Sequence, residues 1–310
     1  MVVRNYLIPT SLARFLAVST FFTAILLFHW SVLKASLVAY LFIFFDDGPV
    51  HGRRFWPRFA RLPLWRWYVP KVLNIHLHPE CGKLDANQKY IFAAHPHGIF
   101  AWQHYATFTD GCGFLTQIAV GVEPRVLVAS VLLWCPFIRD FVLWLGGIDA
   151  SRPVAEAQLR LGRSLVIFTG GEHEQLLTEP CCQRIVLRKR KGFLRMALQH
   201  GAHIVPIYAF GENELYRTCP KVAQRFRLWL ARRTRLPLLL FWGRWGTPWP
   251  DTRHPIHVVI GTPIPVTCLE ETPSDAQVLA LQEQVIDAFR SLFERNKHRF
   301  GYGKQELLII

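Results

Sequence analysis

From Phe15 to Phe45 the chain runs for 31 residues with only His29 and Lys34 as ionisable interruptions. No soluble fold leaves so long an apolar run uncovered, so this segment decides where the rest of the chain can live. As one helix it would extend roughly 46 Å, more than the ~30 Å of a bilayer's hydrocarbon core. Two full crossings would need about 40 apolar residues. Two solutions remain: a single tilted span, or a hairpin that turns near His29–Lys34 and leaves on the side it entered. The hairpin is favoured, because a span would carry His29, Ser31 and Lys34 deep into lipid. The run is too long for a secretory leader, and no small-residue cleavage site follows it.

Residues 51–71, HGRRFWPRFARLPLWRWYVPK, interleave Arg53, Arg54, Arg58, Arg61, Arg66 and Lys71 with Trp56, Trp65 and Trp67. Only Arg4 and Arg14 precede the apolar run. Basic residues hold their side of a span in the cytosol and tryptophans settle among headgroups. Residues 1–50 therefore read as a membrane-embedded anchor, 51–72 as a basic interfacial segment, and 73–310 as a cytosol-facing body. A second basic and aromatic stretch, 225–246, contains Pro237 and Gly243 and is too short to span. It is expected to lie in the interface, with Arg232, Arg233 and Arg235 toward headgroups. Composition fits: 36 Lys+Arg against 22 Asp+Glu leave a net charge of +14, yet 51% of residues are hydrophobic and 11 are Trp. That excludes disorder and fits a membrane surface or an anionic amphiphile better than nucleic acid. Seven cysteines without a CxxC argue against a disulfide framework or zinc-thiolate site and for a reducing compartment.

Beyond Lys89, short apolar runs alternate with helical patterns. Residues 90–94, 125–130, 164–168, 203–208 and 256–261 read as buried strands; 131–145, 153–162, 192–200 and 275–298 read as helices. The alternation predicts one α/β domain with a mostly parallel sheet covered by helices.

Two strand ends carry chemistry. HPHG, residues 95–98, follows YIFAA, and parallel sheets place their sites at such turns. Gly98 lets backbone approach a ligand, and an imidazole of His95 or His97 could serve as general base toward an alcohol. GGEHE, residues 170–174, follows SLVIF and supplies Glu172, His173 and Glu174. One of these carboxylates could orient an imidazole as in a dyad. Alternatively, His95, His97, His173 and a glutamate could bind a metal for hydrolysis, or the chain could be a non-catalytic membrane-surface protein. In 188–201, Phe193, Met196 and Ala197 share one helical face while Lys191 and Arg195 share another, a cationic stripe suited to the phosphates of a cofactor such as coenzyme A.

HPHG, the GGxxE turn, RKGFLRMALQHGAHIVPIYAFGENELY (190–216) and VVIGTPI (258–264) together resemble the type-2 diacylglycerol acyltransferases, a family that includes monoacylglycerol and wax-alcohol acyltransferases. The resemblance covers roughly residues 65–300. It implies a glycerolipid-acyltransferase-like fold and an acyl-CoA-dependent O-acyltransferase of the endoplasmic reticulum membrane and lipid droplets, using acyl-CoA as co-substrate, no bound cofactor or metal, and diacylglycerol as acceptor. Monoacylglycerol or a long-chain alcohol are the alternative acceptors, and homo-oligomerisation stays open. Carried over residue by residue, His95, His97 and Glu174 become the active-site groups. Gly98, Arg190, Lys191, Gly192, Phe193, Arg195, Glu212 and Asn213 become substrate-binding positions. Related glycerolipid acyltransferases pair their histidine with an acid five residues on. Here those positions hold Phe100 and Trp102, so the acid must come from elsewhere, Glu174 ahead of Glu172. The expected mechanism has His97 as base, Glu174 orienting it, His95 positioning, and Lys191 and Arg195 holding CoA phosphates.

Overall fold

The computed structural model describes residues 10–234, 237–267 and 271–310; Arg4, Arg235 and Cys268 lie outside them. The chain divides into two compact units, Met1–Asp47 and Gly48–Ile310.

In the first unit, Thr10–Phe44 forms one unbroken 35-residue helix, α1. The turn expected near His29–Lys34 is absent, and the reason is local. The helix contains neither Gly nor Pro to punctuate it. The Ser31 hydroxyl also bonds back to the Leu27 carbonyl at 2.9 Å, so this polar side chain is satisfied without leaving the helix.

The second unit is built on a seven-stranded sheet: β1 Ile75–Pro79, β2 Tyr90–His95, β3 Pro124–Val128, β4 Gly147–Asp149, β5 Ser164–Phe168, β6 His203–Phe210 and β7 Ile256–Ile260. The strand order is β1-β7-β6-β2-β5-β3-β4. All pairings are parallel except β7 with β6. The sheet is thus mostly parallel, as the alternation predicts. Two strands escaped the sequence pattern: β1, whose histidines disguise it, and β4, three residues inside what reads as a glycine stop signal.

The principal helices are α2 Ile138–Trp144, α3 Arg152–Arg160, α4 Gly171–Leu177, α5 Gly192–His200, α6 Gln224–Thr234 and α7 Asp275–Asn296. The expected helix over 131–145 is instead two pieces, Ser130–Leu133 and α2, because Pro136 cannot continue it. Helix α7 starts at a full capping box between Ser274 and Gln277.

Each face of the sheet carries an apolar layer. Tyr90, Phe92 and Ala94 of β2 pack with Trp65, Val69 and Phe114. Ile91 and Ala93 face the other way, with Val285, Ile286 and Phe289 of α7. Strand alternation puts His95 on this second face, and its ring meets Phe289 edge-on at 5.0 Å between centroids.

The 51–72 segment belongs to this unit. Trp65 is buried, while Trp56, Leu62, Leu64 and Trp67 stay exposed. Arg54 pairs with Asp140 at 2.8 Å and Arg66 with the buried Asp110 at 2.9 Å. In 225–246, Phe226, Trp229, Trp242 and Trp245 are exposed. Arg227 is buried, its guanidinium donating to the carbonyls of Leu238 and Cys219. The six described cysteines are all unpaired.

Candidate active site

Strand β2 lies between β5 and β6, in register through Ala94 with Phe168 on one side and His95 with Tyr208 on the other. Three chain segments therefore leave the sheet side by side at their carboxyl ends: His95–Gly98 after β2, Thr169–Glu174 after β5, and Gly211–Asn213 after β6. This is where an open α/β sheet exposes a site.

Glu174 is the centre of the cluster. It is 2% exposed, and its two oxygens collect three donors. His95 Nδ1 lies 2.9 Å from Oε2 and 3.3 Å from Oε1. The backbone N–H of His97 donates to Oε1 at 2.7 Å, and that of Val186 to Oε2 at 3.2 Å. Burial alone would raise this carboxyl, but the His95 ring and the backbone donors together hold it below the ordinary glutamate value. The expectation that Glu174 orients the ring of His97 is corrected: its ring partner is His95, and it fixes His97 through the backbone.

The two histidines differ in access. His95 is fully buried, with Nδ1 on Glu174 and Nε2 on the hydroxyl of Thr169. His97 is half-buried; its Nδ1 makes a 3.3 Å contact with the Gly98 carbonyl and its ring packs on Phe168. Among the described residues, none hydrogen-bonds its Nε2. Burial lowers the His97 pKa below the ordinary imidazole value, which keeps the ring neutral and able to accept a proton.

The third segment braces the turn. Glu212 is buried and accepts the backbone N–H groups of Trp102 and Gln103, each at 2.8 Å. Burial pushes its carboxyl up to about 8. Gly98 has φ +60°, and a Cβ there would stand 2.7 Å from Cγ and Oε1 of Glu212, so only glycine fits. Asn213 donates to the Cys182 carbonyl at 2.9 Å. Arg190 donates to the Gly170 carbonyl at 2.8 Å and so pins the GGxxE turn. Phe193 packs into the α7-side core, while Gly192 is exposed at the start of α5 and Lys191 is half-buried beside it.

Arg195 follows in the first turn of α5. Its guanidinium is paired with Asp275 in the first turn of α7, so the Lys191/Arg195 stripe is not a pair of uncommitted cations. The metal alternative is not assembled either. Among the described residues no group of three or more His, Cys, Asp or Glu side chains converges as a metal site. Thr169 and the Val186 N–H were missed from sequence. Thr169 follows a strand and precedes two glycines, a local signal, but its approach to His95 depends on β2 lying beside β5.

Comparison with known proteins identifies the family. The family profile described as diacylglycerol acyltransferase matches residues 21–310. A diacylglycerol O-acyltransferase 2B of Umbelopsis ramanniana is 35% identical over 286 residues, covering 87% of this chain and 81% of that protein. Human acyl-CoA wax alcohol acyltransferase 2 is 34% identical over 284 residues, 84% of this chain and 81% of that protein. Human 2-acylglycerol O-acyltransferase 3 is 30% identical over 307 residues, 93% of this chain and 88% of that protein. A match of this length, with relatives this similar across most of both chains, means that the protein belongs to the diacylglycerol acyltransferase family and is an acyltransferase.

Proposed function

We infer that the chain transfers a fatty acyl group from acyl-CoA to the free hydroxyl of diacylglycerol, giving triacylglycerol, with His97 as general base, on a sheet of glycerolipid-acyltransferase type. The observation that carries the residue assignment is the asymmetry of the HPHG pair. His97 offers an open, neutral nitrogen at the carboxyl end of the central strand, whereas both nitrogens of His95 are occupied. His97 takes the acceptor proton as the hydroxyl attacks the acyl carbonyl, and CoA departs as the thiol. Glu174, through its bonds to the His95 ring and the His97 N–H, holds the turn in place. Lys191, at the start of α5, is the cation proposed for the CoA phosphates.

Helix α1 serves as the membrane anchor. At roughly 52 Å for 35 residues it exceeds the bilayer core and fits a tilted span. The exposed Trp56, Trp67, Trp229 and Trp245 with their neighbouring arginines support a catalytic body lying on the cytosolic leaflet of the endoplasmic reticulum or on lipid droplets. Diacylglycerol is favoured by the name of the Umbelopsis ramanniana relative; the wax-alcohol and 2-acylglycerol relatives make long-chain alcohols and monoacylglycerol the second reading.

The test is an assay of the membrane-bound chain with labelled acyl-CoA against diacylglycerol, monoacylglycerol and a long-chain alcohol. The expected outcome is the highest kcat/KM with diacylglycerol, abolished in His97→Ala without change in membrane extraction. Preference for another acceptor reassigns the substrate, and full turnover by His97→Ala removes His97 as the base.

A further inference from the structure

Between Arg125 and Arg139 the chain carries no charged residue, and the part of this run that leaves the sheet after β3 is turned outward. Leu133 is buried, but Val131, Leu132, Trp134, Phe137 and Ile138 are exposed, Trp134 by 67% and Phe137 by 76%. Contiguous exposed apolar side chains of this size mark a contact surface. The display is also held in shape. Phe137 stands at the apex of a tight turn, with φ +65° and ψ −44°, closed by the Ile138 N–H on the Pro136 carbonyl at 2.8 Å. A bulky residue seldom adopts this region, and here the strained turn presents the phenyl ring to the outside.

The base of the loop is fixed. Arg139 and Asp140 are buried, and Arg54 reaches Asp140 at 2.8 Å. At the other end of α2 the Trp144 carbonyl accepts the Trp56 N–H at 2.9 Å, and the two indoles meet edge-on. The loop and the basic segment 51–72 thus share one packed base, beside which Trp56, Arg58 and Arg61 are exposed. Topology then relates the loop to the site. Strand β3 is parallel to β5, and β5 to β2, so the loop leaves the same carboxyl edge as the GGxxE and HPHG turns. It starts two strands, or about 10 Å, from the HPHG turn.

We propose that the 131–138 loop is a membrane-penetrating tip, whose Trp134 and Phe137 enter the bilayer and turn the carboxyl edge of the sheet, with its HPHG turn, toward the lipid. This rests on the reading of α1 as an anchor and of the acceptor as a lipid held in the bilayer. The second unit begins at Gly48, directly after α1 ends at Phe44, so chain continuity keeps it at the surface that α1 enters. The exposed Arg58 and Arg61 decide between lipid and a second copy of the chain. Anionic headgroups pair with them, whereas a two-fold contact between copies would set the same arginines against themselves. With the tip about 5–10 Å below the headgroups, a diacylglycerol reaches the HPHG edge by lateral movement and does not have to cross water.

The experiment replaces Phe137, Leu161 or Leu33, one at a time, by the photocrosslinking amino acid p-benzoylphenylalanine. The full-length chain is reconstituted in vesicles of dioleoylphosphatidylcholine and dioleoylphosphatidylserine. All three native side chains are exposed, so the fold does not depend on them. Leu161 lies in the turn before β5, at the opposite edge of the sheet, and Leu33 lies on α1. After irradiation, intact mass and fragmentation identify lipid adducts, and a denaturing gel identifies crosslinked copies. The expected result is a phospholipid adduct through the acyl chain from position 137 and from position 33, and none from 161. No lipid adduct from 137 where 33 gives one overturns the loop and spares the anchor. Equal adducts from 137 and 161 overturn the orientation, and a crosslink from 137 to a second copy without lipid gives the surface to that copy instead. An adduct from 137 with none from 33 keeps the loop and removes the anchor reading.

Discussion

Glu174→Gln removes one charge from the site while preserving its shape. The native carboxylate gives one oxygen to the His97 N–H and the other to His95 Nδ1 and the Val186 N–H. Glutamine has a single accepting oxygen, and its amide NH₂ must face one of these two groups of donors. In either orientation a buried donor meets a donor, and every surviving bond loses its charge assistance. A charge-assisted bond contributes about 1.5–3 kcal/mol, and a stranded buried N–H costs about 1–3 kcal/mol. These overlap, so the net loss is about 2–4 kcal/mol, which corresponds to roughly 30- to 1000-fold if it falls wholly on the transition state. On the role proposed for the HPHG turn, and with Glu174 itself buried, kcat should carry the loss while KM for acyl-CoA stays within about threefold. Initial rates across acyl-CoA concentrations, paired with a thermal melt of the same preparation, separate the possibilities. A drop in melting temperature with kcat intact would make Glu174 a stability residue only. A Glu174→Gln variant indistinguishable from wild type in both readouts would refute the role of this carboxylate as the organiser of the HPHG turn.

Gly98→Ala tests the bracing of the HPHG turn. A Cβ 2.7 Å from the Glu212 carboxyl at φ +60° should cost about 1–2 kcal/mol in backbone strain alone and lower kcat at least about tenfold; a wild-type melt and rate would show the turn to be more tolerant than the geometry allows. Glu212 itself gives a pH signature. Its folded value, about 8, lies above the ordinary 4.5. The stability it contributes is therefore fully present below pH 4.5 and lost as pH rises through about 8. Melting temperatures measured from about pH 5 to about pH 9 should fall with a steeper slope for wild type than for Glu212→Gln, and equal slopes would count against a protonated Glu212.

Some of this was fixed by local rules and could be read directly. The apolar run had to be a membrane-length element, and five buried strands announced themselves by uninterrupted apolar residues. HPHG and GGEHE each come at the end of an uninterrupted apolar run and carry the glycine of a turn, which marks both as strand ends. The resemblance of 190–216 narrows the chemistry further than composition or periodicity can. Other features depended on residues far apart in the chain. His76 and His78 hid β1, whose partner β7 lies about 180 positions away. The carboxylate that Arg195 meets, Asp275 of α7, lies 80 positions away. Which histidine meets Glu174 was undecidable by spacing, since both lie close to the same turn.

Helix length, strand burial and turn chemistry follow from neighbours within a few positions, so the elements and the residue types available to the site were legible in the chain itself. The pairing among those residues was not. The strand order β6-β2-β5 carries the ends of three distant segments to one edge of the sheet. Side-chain alternation along β2 then turns His95 inward onto Glu174 and Thr169, while the loop beyond it leaves His97 open. Contacts between residues 74 and 79 positions apart are set by which strands lie side by side, and that choice belongs to the packing of the whole sheet.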